Sequence, residues 1–427
     1  MFTRNSDHSR VVGGHLFHIQ TWEAILLRTK RPREHILKYK FIYTFLILMI
    51  YLLGKNIPLY GLEQAGNYEI GMDAETLMVQ AISGDIYRHS LFALGIAPYM
   101  MASLIVQFLY ACRSKEAKSR ISPKKRNSNI LAVTMLFAIV QAILQTGELE
   151  FGVTGTELLW AQGIAALEMV TGAMMILWLS ERNRQYGIGG QTTLILVNIV
   201  EGILTTLGGQ EAQQLAMPLV ASGIVILIVL FMENTEKRIP VQRISIHNIY
   251  ADKNYMSIKL NPIGVMPAMF STAVFLLPQL LIRGLVILFP ENADILWWEE
   301  NMTLSQPVGI VVYIAILYIL TIVFSRVFLN PTEITEQFLK SGDSLVDIHA
   351  GRDTKRYLSG TINRMSFVSA TVMAVCLGGP MYLQLYWHMD SGLVMLPSSA
   401  MMLTGMLCNL YREYAALRDL EAYRPFI

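Results

Sequence analysis

Residues 89–112 read HSLFALGIAPYMMASLIVQFLYAC, an uninterrupted run without Asp, Glu, Lys or Arg, closed by Arg88 and Arg113. A bilayer core takes about 20 mostly apolar residues in a helix, so this run has the length of a membrane span. Equivalent runs occur at 41–54, 127–147, 158–180 (broken by Glu168), 185–200, 212–232, 260–282, 302–325, 365–389 and 391–411. The first is short, but Lys40 and Lys55 can snorkel at its ends. The pattern predicts an all-α membrane protein with ten transmembrane helices. Helices are required at that depth because unpaired backbone groups are too costly in lipid.

Charge placement gives the topology. With the N-terminus taken as cytoplasmic, 31 of the 34 Lys and Arg fall on the inner side, and only Lys55, Arg88 and Arg283 fall outside. Basic residues are retained on the cytoplasmic side. A missed or extra span would invert every later loop and destroy this asymmetry. Both termini are therefore expected in the cytoplasm.

Composition agrees with the spans. Hydrophobic residues make up 53% and charged residues 15%, with mean hydropathy +0.42, where soluble domains carry about 25% charged. An ordinary soluble enzyme, a coiled coil, a disordered chain and a disulfide scaffold are excluded. Cys112, Cys376 and Cys408 form no CxxC pair and read as small buried apolar residues. No cleavable signal peptide is evident; residues 1–40 are polar and basic except for 16–27. That stretch suits an amphipathic helix on the inner membrane surface, or a surface helix packed on the protein.

The chain carries no GxxxxGK[ST], HExxH or GxSxG. No Asp lies inside a span, and His89 and His388 sit at span ends without a nucleophile. Neither catalysis, a cofactor nor a metal is expected, and nothing marks a nucleic-acid partner. Work would come from a partner or a gradient. Glu168 and Glu201 lie in or beside spans. Such carboxylates are functional candidates by default, but a polar interior around Glu168 and an outer mouth beside Glu201 are the favoured account. They are what a secondary transporter, the competing class, would use for coupling.

Residues 74–82 form a short apolar pattern before the breaker Ser83-Gly84-Asp85. It is too short to cross, and suits either a re-entrant half-helix inside protein or an outer surface helix. Gly95, Pro98, Gly264, Pro267, Pro278 and Pro397 weaken helices in or beside spans two, seven and ten. The connections 233–259 and 326–364 are long, polar and on the same side as the basic 113–126 loop. They read as a docking surface or as loose connectors.

Ordered along these spans are Phe92–Tyr99 (FALGIAPY), Thr171-Gly172, Trp178-Leu179, Tyr186–Gly189 (YGIG), Asn261–Pro267 (NPIGVMP), Leu329-Asn330-Pro331 and Lys340-Ser341-Gly342. Together they resemble the SecY family, the channel subunit of the protein-export translocon, from about Lys38 to Arg418. The FNP motif of that family departs here, with Phe328 one place early.

The resemblance implies two pseudo-symmetric five-helix halves, 41–205 and 206–427, around an hourglass pore, with a plug at about 73–87. It implies a lateral opening between spans two and three and spans seven and eight. It places an apolar pore ring on Ile96, Met100, Leu196, Met269 and Met402, and lateral-gate amides at Gln141 and Asn261. An apolar ring resists ions by dewetting, and methionine makes it adaptable.

The two long loops match the family's docking site for the ribosome or the SecA motor, on Arg243, His349, Arg352, Lys355 and Arg356. The family's usual IRPG turn is here Ile348-His349-Ala350-Gly351, and His is weakly charged at neutral pH. That departure, the Met-rich ring and the short tail resemble the accessory SecY of Gram-positive bacteria. This likeness implies an accessory SecA ATPase, small SecE- or SecG-like subunits and other accessory Sec proteins. It also implies a signal peptide on an unfolded, serine-rich glycosylated adhesin as cargo, and the lipid of the plasma membrane as surroundings. A general housekeeping SecY is the alternative within the family.

Overall fold

The computed structural model describes residues 36–61, 90–111, 122–149, 151–152, 155–208, 212–243, 255–290, 292–387 and 391–423. The expected surface helix at 16–27, the plug at 73–87, Cys112, His89 and His388 lie outside these residues. Among the described residues, nine helices are long and apolar enough to cross a membrane, and a shorter one covers Ala97–Tyr110. The protein is a multi-pass membrane protein.

In chain order the first five spans are α1 (Ile36–Lys55), α2 (Ala97–Ala111), α3 (Pro123–Glu148), α4 (Thr156–Tyr186) and α5 (Gln191–Gly208). The second five are α6 (Ala212–Asn234), α7 (Met266–Leu288), α9 (Pro307–Leu329), α11 (Arg352–Trp387) and α12 (Ser391–Tyr423). A short α8 (Ala293–Asn301) follows α7 and a short α10 (Pro331–Ser341) follows α9. The strands β1 (Glu236–Arg243), β2 (Tyr255–Lys259) and β3 (Asp343–Leu345) complete the set.

Span two departs from the expected continuous helix. Residues 91–96 form turns, and α2 begins only at Ala97. Gly95 takes φ +54°, and Pro98 is the second helical residue. A positive φ favours glycine, and proline is best accommodated in the first helical turn. The same Gly-x-x-Pro device opens α7, where Gly264 has φ +72° and Pro267 is second. Four of the six expected helix-weakening residues thus lie at helix starts; only Pro278 and Pro397 lie inside helices.

The irregular 91–96 segment is not exposed to lipid. Phe92, Ala93, Leu94 and Ile96 are buried. Glycines on two neighbouring helices make room for it. A Cβ on Gly172 of α4 would lie 1.9 Å from the Leu91 carbonyl oxygen, and one on Gly54 of α1 would lie 2.1 Å from the Phe92 ring. The Thr171-Gly172 motif therefore has a packing reason. The Leu91 N–H donates to the Ile57 carbonyl at 2.9 Å, as irregular backbone at membrane depth requires.

Span five also shifts, running over Gln191–Gly208 so that Glu201 lies within its helix. The Gly187–Gly190 turn before it is held by Asn183, fully buried on α4. Its Nδ2 donates to the Ile188 and Gly190 carbonyls at 3.0 and 2.9 Å, while Thr44 of α1 donates to its Oδ1 at 3.0 Å. Buried polar groups must find such partners.

One apolar core runs through both halves, from Ile47 and Tyr51 on α1 to Met402 and Met406 on α12. The chain is not helical throughout. β1 pairs antiparallel with β2 on one side and with β3 on the other, in the order β2-β1-β3.

Candidate functional site

The five ring candidates come from four helices and the turn before α2. Ile96, Met100, Met269 and Met402 are buried members of the common core, and the half-buried Leu196 packs against it. Met100 is in the first turn of α2 and Met269 in the first turn of α7. Their placement follows from the two Gly-x-x-Pro starts, which begin both helices deep in the protein. Sulfur-bearing Met101, Met373, Met395, Met401 and Met406 are buried in the same cluster, giving a soft apolar centre.

The two candidate gate amides have separate partners. Gln141 on α3 is buried and directs Nε2 to Met101 Sδ of α2 at 3.5 Å. The Nδ2 of Asn261 donates to Glu233 Oε1 at 3.0 Å, and its Oδ1 accepts from Ser369 Oγ at 3.0 Å. Asn261 thus ties together parts of the second half, while Gln141 sits where α3 meets α2.

What joins the halves on this side is aromatic. Phe108 of α2 stacks on Phe324 of α9 with centroids 5.9 Å apart, and Phe270 of α7 meets Phe324 edge-on at 5.3 Å. Phe328 adds a further edge contact to Phe324 at 5.7 Å. Within the second five spans, Tyr313 of α9 lies 3.4 Å from Thr272 of α7, oxygen to oxygen. Sequence reasoning missed this cluster, since four phenylalanines on three spans look like ordinary lipid-facing residues.

The docking candidates lie on one folded platform. β1–β3 pairing joins the 233–259 and 326–364 connections, which the sequence allowed to be loose. A small core of Ile239, Val241, Ile258, Leu345, Leu358 and Ile362 sits beneath the sheet. Arg243 stands opposite Asp343 in the strand register. The Lys340-Ser341-Gly342 motif ends α10, with Gly342 at φ +74° as its left-handed cap. Pro331 opens the same helix. His349 is exposed and its carbonyl accepts from Thr354 Oγ1 at 2.9 Å. Arg352, Lys355 and Arg356 are exposed in the first turns of α11.

Near the root of the sheet, burial holds the Lys259 ammonium below its usual pKa, and the neighbouring Arg412 charge adds to that effect. Opposite Lys259 in the strand register, Glu236 has its carboxyl lowered by the hydrogen bond from the Arg238 guanidinium.

The two span carboxylates have local structural partners. Glu201 pairs with Lys55 at the end of α1, and Glu168 Oε2 accepts from the Tyr60 N–H at 2.9 Å. The first contact ties the end of α1 to α5, and the second ties the chain after α1 to α4.

A bundle of apolar spans, a packed apolar centre and a small three-stranded sheet make up this membrane protein, and its likenesses assign it to the class of protein-conducting channel subunits. The SecY family profile matches residues 90–410, and the chain belongs to the SecY family. Its relatives include "Accessory Sec system protein translocase subunit SecY2" of Streptococcus salivarius, 26% identical over 92% of this chain and 99% of that protein. The protein of the same description from Streptococcus agalactiae is 30% identical over 91% and 96%. They support the accessory type within the family. Similar solved structures include "The structure of a protein conducting channel", with TM-score 0.65 and 17% identity over 90% of this chain and 93% of that one. Sec61 in the canine ribosome–channel complex from the endoplasmic reticulum gives TM-score 0.60 at 17% identity, over 90% and 93%.

Proposed function

We propose that this channel subunit serves an accessory Sec system in the plasma membrane, with the sheet face and both termini in the cytoplasm. An accessory SecA-type ATPase docks on the platform and drives an unfolded preprotein, led by its signal peptide, through the apolar ring. Ile96, Met100, Leu196, Met269 and Met402 form that ring. Gln141 and Asn261 serve the lateral gate, which opens to lipid, and small SecE- and SecG-like subunits complete the assembly. The cargo is a serine-rich glycosylated adhesin.

The observation that carries this reading is the β1–β3 pairing, which makes one rigid platform from two distant connections. Arg352, Lys355 and Arg356 project from it. A rigid basic patch suits an acidic protein surface, and such charge governs on-rate and partner choice more than raw affinity. His349 in place of the usual arginine shifts positive charge along the chain and so selects a different motor. The accessory type of the relatives supports the same assignment.

The test is a motor swap in reconstituted vesicles. The purified chain, with its small subunits, is supplied with a housekeeping SecA or an accessory SecA. ATP-driven entry of an ordinary preprotein and of a serine-rich adhesin precursor is scored. Adhesin entry with the accessory motor alone is expected. Preprotein entry driven by the housekeeping SecA would make the chain a general translocon and overturn the accessory reading.

A further inference from the structure

Among the described residues, Glu233 is the single charged residue in the buried set, with 1% of its surface exposed. It is the penultimate residue of α6, three residues before β1 begins at Glu236. Its Oε1 accepts from Asn261 Nδ2 at 3.0 Å, and its Oε2 lies 2.8 Å from Arg412 Nη1 of α12. Arg412 Nη2 also donates to the Glu233 carbonyl at 2.6 Å. Ser369 of α11 then holds the far side of Asn261 at 3.0 Å. Two side chains thus bring α6, α11, α12 and the entry to α7 to one point.

That point is also the root of the sheet. β2 ends at Lys259, and the Leu260 N–H donates to the Thr235 carbonyl at 2.9 Å, clamping the sheet beside Glu233. Only residues 260–265 separate β2 from α7. They include Asn261 and the left-handed Gly264, whose Cα is close enough that an added Cβ would lie 3.5 Å from Glu233 Oε1. Met269 lies in the first turn of the helix that follows.

We propose that Glu233 is a positioning residue that latches the start of α7 to α6 and α12 and relays displacement of the sheet to the apolar ring. The physical reason is the cost of separation. A buried ion pair contributes little against an apolar substitute, yet removing one partner strands a buried charge and is strongly destabilising. Such a contact gives little when strained: it is made or broken. While it is made, α7 stays seated against its own half. When a load on the sheet draws Leu260 and Asn261 away, the short connection carries α7 with them. The inference rests on the ring and docking assignments proposed above.

The test is ion conductance of the purified full chain in planar bilayers in KCl, without motor. Glu233→Gln keeps shape and an acceptor for Asn261 but removes the charge facing Arg412. Conductance is expected to rise about tenfold, the scale for losing a charged hydrogen bond. Arg412→Gln should do the same, and the double variant should leak no more than the worse single, since coupled residues are not additive. Met169→Ala, which removes a fully buried side chain on α4 in a cluster apart from the ring, the gate amides and the sheet, controls for general destabilisation and should stay at the wild-type level. Ser369→Ala removes one neutral bond to Asn261 and should leak by about threefold; it stands in if Glu233→Gln does not fold. Wild-type conductance in Glu233→Gln, or in Ser369→Ala where Glu233→Gln does not fold, overturns the latch. An equal leak in Met169→Ala overturns it too. Failure of a signal peptide to induce any conductance in the wild type would instead overturn the channel reading on which the latch rests.

Discussion

Phe108 and Phe324 stack across the two halves of the molecule, 5.9 Å between centroids and 28° between planes. One ring belongs to α2 and the other to α9, and Phe270 of α7 closes the cluster edge-on. These are the spans that must part if the channel opens to lipid. The contact is dispersive and lacks a hydrogen bond to break, so an apolar signal helix can replace either ring at small net cost. Aromatic pairs contribute about 0.5–1.5 kcal/mol beyond buried area. Phe108→Leu retains apolar volume and removes the stack. It is expected to shift the gate toward opening by about fivefold, from ~1 kcal/mol. Translocation of a preprotein with a weakened signal sequence, measured in vesicles, should rise accordingly. Unchanged translocation would remove this cluster from the gate.

The apolar centre should seal by dewetting. Met100→Asp with Met269→Asp places two charges among buried methionines. Water follows charge into such a constriction, so the resting protein should conduct ions. Planar-bilayer recording checks this directly, and an unaltered resting current would move the pore elsewhere.

Arg352→Glu with Arg356→Glu reverses two exposed charges on the platform. Motor affinity should fall by about tenfold at low salt, and the difference should shrink near 0.5 M salt, because screening removes exposed charge interactions. Binding by the motor in nanodiscs at two ionic strengths measures both effects. A loss that ignores salt would indicate altered folding of the platform.

Two glycines of the same helix should respond oppositely to alanine. At Gly172 a Cβ would lie 1.9 Å from the Leu91 carbonyl oxygen, a backbone atom with little freedom to move. Gly172→Ala is expected to cost about 2–3 kcal/mol or more, the range for overpacking. Gly163 has open space where its Cβ would stand. Gly163→Ala should stabilise α4 by about 0.5–1 kcal/mol through helix propensity. Thermal unfolding in detergent of both variants gives the two signs. A destabilised Gly163→Ala would mean that this helix face packs against another subunit.

Much of the architecture was legible because its causes are local. A run without charge, such as 302–325, is apolar wherever it sits, and such runs mark the spans one by one. Helix signals at motif ends were equally local: Pro331 starts α10 and Gly342 stops it. The FALGIAPY motif marked span two, but its helical part could not be read. Gly95 and Pro98 permit either a kinked span or a late helix start. Packing of Phe92 and Leu91 against Gly54 and Gly172 selects the latter. Likewise, Glu201 invited a coupling role until Lys55 stood beside it.

The sequence by itself determined a membrane bundle, its apolar character and its family likeness, since hydropathy acts along the chain. Tertiary structure alone decided which distant groups meet. Arg412 reaches Glu233, Phe108 reaches Phe324, and β3 joins β1. None of these pairs has a spacing or motif that announces it. Each exists because packing in three dimensions brings together residues that the chain separates, and burial then favours partners for the polar groups among them.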